Sequence, residues 1–162
     1  EYPPVAVVAL GFWRDDVDHP LDGFGMLIPA VEQRRILGTI FSSSLFAARA
    51  PEDRVLLTTF VGGARQPRMA SLGDDALVED VRSDLRDLLG VNGAPVFRRI
   101  YRWPRAIPQY GADYGEILSA LEGLEARERG LHFAGNYRGG ISAGQCIHNG
   151  LRLAAGIFPV QP

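Results

Sequence analysis

The sequence predicts an α+β fold in which an antiparallel or mixed sheet packs against helices. The first 62 residues contain short apolar runs, rich in β-branched residues and separated by turn residues, which is typical of strands. From residue 74 onward the apolar positions repeat at helical spacing, and two of these segments end near glycines. A meander of antiparallel strands, with helices after it, is the simplest arrangement of such a chain.

Four strands are expected in the first part of the chain, and turn residues separate them. The first is an apolar run of the kind found in strands that are buried on both faces. The third contains the serine triplet 42–44, which we interpret as a hydroxyl-lined strand. These strands are expected at residues 5–12, 24–28, 36–46 and 54–61, and a fifth strand is expected at 96–103.

Two amphipathic helices are predicted in the middle of the chain. The first begins at the acidic residues Asp74 and Asp75 and ends at Gly90, a residue suited to a left-handed C-cap. Its apolar positions are Leu77, Val78, Val81, Leu85, Leu88 and Leu89. The second follows a predicted capping box of Asp113 and Glu116, and its apolar face carries Ile117, Leu118, Leu121 and Leu124.

The last third of the chain predicts a strand, a glycine turn and a helix. A short strand is expected at 130–134 and the turn at 135–140, and Ser142 with Gln145 forms a capping box at the start of the helix. Gly156 and Pro159 are expected to end this helix. Such a turn directs backbone N–H groups outward, so it either receives a cofactor or only allows close helix–sheet packing.

Composition excludes several classes of function. A net charge of −2 offers no basic surface for nucleic acid, and the apolar runs are far shorter than the roughly 20 residues that span a bilayer. The single cysteine, Cys146, favours a reducing compartment, and no Cys/His cluster has metal-ligand spacing. We therefore expect no nucleic-acid partner and no structural metal.

The candidate catalytic side chains give no recognisable constellation. His19, His132 and His148 are far apart, and Cys146 falls on the apolar stripe of the last helix. The serine triplet lacks a nucleophile elbow. The glycines near residue 140 do not have G-x-G-x-x-G spacing, so a self-sufficient dinucleotide site is not expected.

Six strings in one order resemble the C-terminal part of the protoporphyrinogen oxidases. The match runs nearly end to end, and the order and spacing make it specific. The strings are YPPVAVV at 2–8, PLDGFG with LIP at 20–29, ILGT with FSSS at 36–44, LTTFVGG at 57–63, IPQY at 107–110 and AGNYRGG at 134–140.

The resemblance implies an FAD-dependent enzyme of the amine oxidase superfamily. Such an enzyme oxidises protoporphyrinogen IX or coproporphyrinogen III to the porphyrin, on the route to haem or chlorophyll. Residues 1–129 would then be part of a substrate-binding domain, and residues 130–162 would complete an FAD-binding domain. The alternatives are another flavin amine oxidase-type enzyme, or a cofactor-free module that binds a tetrapyrrole or a protein.

The resemblance also implies positions for the ligands. The tetrapyrrole would pack on Leu27, Ile40 and Phe60, which are apolar and suited to its broad faces. The flavin would lie against Gly135, Gly140, Ile141, Ser142 and Ala143, and near Tyr114 in the preceding loop. No residue is expected to act as an obligatory general base.

Parts that such enzymes need are expected upstream of Glu1. They include the G-x-G-x-x-G phosphate-binding motif, an arginine that meets substrate carboxylates and a membrane-associating segment. We therefore expect the isolated chain to be inactive without this N-terminal FAD-binding half, and to self-associate through apolar surface that the missing half would cover. The expected compartment is the cytoplasm, with peripheral membrane contact through the absent parts.

Overall fold

The computed structural model describes residues 1–158, so Pro159, expected at the end of the last helix, lies outside the described residues. The chain forms two compact units. The first is Pro3–Ala106, and the second combines Glu1–Tyr2 with the chain from Ile107 onward. The boundary predicted between residues 129 and 130 stays a prediction.

The first unit contains a five-stranded antiparallel sheet, which confirms the predicted fold class. The strand order is β2-β3-β4-β1-β5. The strands are β1 (Val5–Trp13), β2 (Gly25–Leu27), β3 (Ile36–Phe41), β4 (Arg54–Gly62) and β5 (Phe97–Trp103).

The predicted meander is correct for β2, β3 and β4 and wrong for β1. Strand β1 pairs with β4 on one side and with β5 on the other, and it has no pairing with β2. Strands β1 and β4 have nine residues each and pair along their whole length. This central position gives the backbone groups of an apolar strand partners on both sides.

Helix α2 (Asp74–Leu89) has the predicted bounds and contributes much of the core. Gly90 caps it with a φ of 62°, in the left-handed region. Its buried apolar residues belong to one cluster with alternate residues of the strands, such as Leu10 and Leu57. The other positions of β1, such as Val7 and Ala9, are only half-buried, so the prediction of a strand buried on both faces is wrong.

The serine triplet forms a helical turn, α1 (Ser42–Leu45), and the predicted hydroxyl-lined strand is wrong. The Ser42 hydroxyl lies 2.8 Å from the Thr58 hydroxyl, and the Ser43 hydroxyl accepts the N–H of Leu56 at 3.1 Å. Serine side chains compete with sheet pairing in this way, because they offer the backbone another partner.

The second unit contains α3 (Tyr114–Arg127) and α4 (Ala143–Ile157). The capping box of Ser142 and Gln145 is confirmed, whereas Asp113 caps nothing with its side chain. An N-cap needs extended backbone, which Ser142 has (ψ 151°) and Asp113 lacks (ψ 0°). Residues 130–134 are not a strand, because no described segment pairs with them. Within residues 1–158, no helix combines the length and hydropathy needed to cross a bilayer.

Candidate functional site

The sheet of the first unit has one face that is turned away from the core, here called the open face. It is defined by residues that lie opposite one another in the strand register and outside the buried cluster. They are Gly25, Leu27, Gly38, Ile40, Arg54, Leu56, Thr58, Phe60, Val5, Val7, Ala9, Gly11, Trp13, Phe97, Arg99, Tyr101 and Trp103.

The register brings Leu27, Ile40 and Phe60 together on three neighbouring strands. Leu27 lies opposite Gly38, and Gly38 lies opposite Phe60. Ile40 is two residues from Gly38 on the same strand, so its side chain points to the same face. The three residues that the resemblance singled out are therefore neighbours, although 33 positions separate the first from the last.

Gly38 leaves bare backbone between Leu27 and Phe60. A Cβ atom at this position would lie 2.5 Å from the Met26 carbonyl oxygen and 3.2 Å from Leu27 Cδ2, which is too close for any side chain. The row of opposed residues that starts at Leu27 continues through Gly38, Phe60 and Val7 and ends at Tyr101. Leu27 is 89% exposed, and Tyr101 is 49% exposed.

The chemistry of the open face is apolar and aromatic. No carboxylate or histidine is among its residues, and its ionised side chains are Arg99 and, at the end of β4, Arg54. A flat apolar ligand could pack on aliphatic and aromatic side chains held at sheet spacing. Leu27, Phe97 and Tyr101 are exposed, and the apolar residues between them are mostly half-buried. A contiguous apolar surface that is partly open to solvent marks a binding surface more often than scattered exposed residues do.

The second unit carries the glycine turn, whose backbone needs glycine at two positions next to α4. Gly139 has a φ of 77° and Gly140 a φ of 129°. A Cβ at Gly140 would lie 2.5 Å from Gln145 Cδ, and a Cβ at Gly139 would lie 2.7 Å from Asn149 Nδ2. The turn therefore packs its bare backbone directly against the side chains of α4.

The N-terminus of α4 is capped and retains free donors. Ser142 Oγ accepts the N–H of Gln145 at 3.2 Å, and Gln145 Oε1 accepts the N–H of Ser142 at 3.2 Å. Helix geometry gives the N–H groups of Ala143 and Gly144 no partner within the helix. The first turn has no acidic residue, and Ile141 before it is 44% exposed. This end of the helix favours negative charge.

Two tyrosines anchor the glycine turn, Tyr110 before α3 and Tyr114 at the first residue of α3. The Tyr114 hydroxyl donates to the Tyr137 carbonyl at 2.9 Å, and the Tyr110 hydroxyl donates to the Asn136 carbonyl at 3.0 Å. The two rings stack with their centroids 4.2 Å apart. Desolvation, and then the neighbouring Tyr114, raise the pKa of Tyr110. Sequence reasoning singled out Tyr114 but missed the anchoring role of both residues.

Glu125 of α3 holds the same turn by a charged contact. Arg138 Nη1 donates to both carboxylate oxygens at 2.8 Å, and the N–H of Phe133 donates to Oε1 at 2.7 Å. The Phe133 N–H, and then Arg138, lower the pKa of the Glu125 carboxyl. No local pattern indicated a role for Glu125, because its partners lie 8 and 13 positions away in the chain.

The histidines and the cysteine, which the sequence analysis did not assign to a site, have ordinary structural environments. His19 Nδ1 accepts the N–H of Leu21 at 2.9 Å. His132 and His148 are exposed, and Cys146 Sγ lies 3.8 Å from the Gly140 carbonyl oxygen. Among residues 1–158, no cluster of His, Cys, Asp and Glu could hold a metal ion.

Comparison with known proteins relates nearly the whole chain to one family. The family model described as "Flavin containing amine oxidoreductase" matches residues 1–158. A mitochondrial protoporphyrinogen oxidase from Nicotiana tabacum is 43% identical over 157 residues, which are 95% of this chain and 31% of the relative. A coproporphyrinogen III oxidase from Bacillus subtilis is 29% identical over 147 residues, or 90% of this chain and 31% of the relative.

A solved structure agrees with the fold. The crystal structure of a protein from Exiguobacterium sp. 255-15, assigned as a protoporphyrinogen oxidase, superposes with a TM-score of 0.79 at 22% identity. The match covers 96% of this chain and 34% of that structure. The chain thus spans about a third of the length of the proteins it matches.

Proposed function

Because the chain belongs to the family of flavin-containing amine oxidoreductases, we propose that it forms part of an FAD-dependent enzyme that oxidises a porphyrinogen to a porphyrin. The proposal concerns the whole enzyme, since the matched relatives are about three times as long. Within that enzyme, the open face packs against the tetrapyrrole and the glycine turn lies against the flavin. The isolated chain is expected to be inactive.

The observation that supports this function best is the common position of Leu27, Ile40 and Phe60 on the open face. A porphyrinogen has two broad apolar faces, and these side chains offer a surface of similar shape and chemistry. Gly38 removes the one side chain that would stand between Leu27 and Phe60. The substrate therefore gains apolar contact without a protruding group beneath its ring.

The glycine turn fits a flavin by two features of the second unit. Gly135 and Gly140 are half-buried and have backbone conformations that favour glycine, so they add no side chain to the surface that a planar ring would approach. Ile141 adds an exposed apolar side chain. Ser142 and Ala143 begin α4, whose free N–H groups stabilise negative charge. When bound, the flavin supplies the acceptor for the electrons that leave the substrate.

The residues of this chain orient the substrate and exclude water, and they do not remove its protons. The open face carries no carboxylate or histidine that could act as a base. In this proposal Tyr114 acts by holding the turn through its bond to the Tyr137 carbonyl. Catalysis by orientation needs rigid surfaces, which a central sheet and an anchored turn provide.

Substrate choice and compartment are narrower parts of the proposal. Protoporphyrinogen IX is favoured as the substrate, because this chain is 43% identical to the protoporphyrinogen oxidase from Nicotiana tabacum and 29% identical to the coproporphyrinogen III oxidase from Bacillus subtilis.

The compartment is proposed to be the cytoplasm, with peripheral membrane contact through other parts of the enzyme. The single cysteine supports a reducing compartment.

The test uses the complete enzyme, with its flavin content measured by absorbance and its product measured by porphyrin fluorescence. Wild-type enzyme is expected to oxidise protoporphyrinogen IX faster than coproporphyrinogen III. The variant Phe60→Ala is expected to raise KM about ten-fold, because it removes apolar contact with the substrate. Phe46→Ala, at an exposed phenylalanine outside the open face, is the matched control.

Two results would contradict the proposal. Enzyme that contains flavin but oxidises neither porphyrinogen would exclude the activity. Equal KM values for Phe60→Ala and Phe46→Ala would exclude the open face as the substrate surface, even if the activity were present.

A further inference from the structure

Arg99 is the exposed charged residue of the open face, whereas Arg54 at the end of β4 is half-buried. It lies on β5 opposite Ala9 of β1. Ala9 lies opposite Thr58 of β4, and Thr58 lies opposite Ile40 of β3, so these residues form one row across the sheet. Its neighbour Ile100 packs against the core, so Arg99 must project on the opposite side. The same face therefore carries the proposed substrate contacts and one exposed cation.

The other arginines of β5 have carboxylate partners and Arg99 has none. Arg98 pairs with Asp75 at 2.7 Å, and Arg102 pairs with Asp74 at 2.7 Å, both at the start of α2. Among residues 1–158, no carboxylate lies within ion-pair distance of Arg99. Its charge is available to a ligand.

The direction of the Arg99 side chain also points to a ligand on this face. Its guanidinium lies 5.5 Å from the centre of the Tyr101 ring. Tyr101 lies opposite Val7, which lies opposite Phe60, so the charge is directed toward the row of Phe60. An arginine held over an aromatic ring loses less freedom when it binds an anion.

We propose that Arg99 binds a propionate carboxylate of the porphyrinogen, and this inference rests on the proposed function. The ring would pack over Gly38, between Leu27 and Phe60, and its carboxylate arm would extend toward β5. Three strand spacings separate β3 from β5, or about 14 Å at about 4.8 Å each. A tetrapyrrole with an extended propionate arm, met by an arginine side chain, spans such a gap.

Charge complementarity selects this occupant. A porphyrinogen is apolar on its faces and anionic only at the ends of its carboxylate arms, and the open face is apolar with one cation at its edge strand. Two other arginines lie near the Gly11 end of this face. Arg54 lies 4.2 Å over the Trp13 ring and 3.8 Å from Asp53, and Arg49 lies 5.4 Å from the Phe46 ring. Arg99 is the arginine directed toward the row of Phe60, so it is the one suited to a carboxylate of a ring that packs there.

The test compares two substrates in the complete enzyme, protoporphyrinogen IX and its dimethyl ester, which lacks both carboxylates. Arg99→Gln is expected to raise KM for the acid about ten-fold with little change in kcat, because it removes a charge-assisted hydrogen bond. KM for the ester is expected to stay at the wild-type value. Arg98→Gln is the matched control, since it removes the adjacent arginine on the other face.

The outcomes separate the inference from the function on which it rests. An equal change in KM for acid and ester, or no change for either, would overturn the role of Arg99 while the wild-type activity upheld the proposed function. Wild-type enzyme that oxidises neither substrate would overturn both. Flavin content and melting temperature, compared with those of Arg98→Gln, identify any loss of fold.

Discussion

Gly140 makes the glycine turn and the start of α4 depend on each other. Its φ of 129° is a conformation that other residues rarely adopt. The missing side chain also leaves room for Gln145, which closes the capping box with Ser142. A residue at this position thus influences both the backbone that is proposed to approach the flavin and the cap that orients the helix.

Gly140→Ala is expected to destabilise the complete enzyme by about 1–3 kcal/mol, from backbone strain and loss of the cap. It is also expected to lower the flavin content, because the N-terminus of α4 would shift. Urea unfolding and the visible absorbance of the purified enzyme measure the two effects. Gly123→Ala in α3 is the control, since a Cβ there meets open space. Similar values for both variants would refute the prediction.

At the scale of elements, the start of β3 is attached to α2 by one buried carboxylate. Asp84 is 5% exposed, and Oδ2 accepts the N–H groups of Arg35 at 2.8 Å and Ile36 at 3.1 Å. The strand register shifts between Ile36 and Gly38, so these N–H groups need a partner other than a strand. The attachment fixes the strand that carries Gly38 and Ile40.

Asp84→Ala is expected to cost about 2–3 kcal/mol in the free energy of unfolding, because it leaves the buried N–H of Ile36 and the part-buried N–H of Arg35 without an acceptor. Asp87→Ala is the matched control on the same helix. Asp87 is an exposed partner of Arg34, at 2.6 Å, and such surface pairs contribute at most about 1 kcal/mol. Chemical denaturation distinguishes the two, and equal losses of stability would mean that Asp84 acts only through its charge.

At the scale of the whole molecule, both units present apolar surface to solvent. Leu27 on the open face is 89% exposed, and Ile147 and Leu151 on α4 are 66% and 67% exposed. No residue of α3 or α4 is buried. Surface of this kind is suited to contact with further protein, and the relatives are about three times as long as this chain.

The isolated 162-residue chain is therefore expected to self-associate and to remain colourless. Gel filtration after incubation with excess FAD measures both properties, by elution volume and by visible absorbance. Leu27→Glu together with Leu151→Glu is expected to reduce the association, because both changes place charge on exposed apolar surface. A monomer at all concentrations would contradict the first expectation, and stoichiometric flavin in the eluted chain would contradict the second.

Local features of the sequence were sufficient to predict several helices and strands and to identify the family. The bounds of α2 follow from its periodicity, its acidic start and Gly90, and the start of α4 follows from Ser142 and Gln145. These features act between residues at most a few positions apart, so the sequence contains them in full. Asp84 lies among the apolar residues of the buried side of α2, and a carboxylate at such a position could have been used to predict a buried polar contact.

The tertiary structure alone decided the strand order, the open face and the anchors of the turn. Strand β1 lies between β4 and β5, and its pairing places Arg99 in the row of Ile40. The segment 130–134 has the composition of a strand but forms none, because a strand needs a partner that the described residues do not offer. Such contacts join residues that are distant in sequence, and composition and spacing do not specify which distant segments pair.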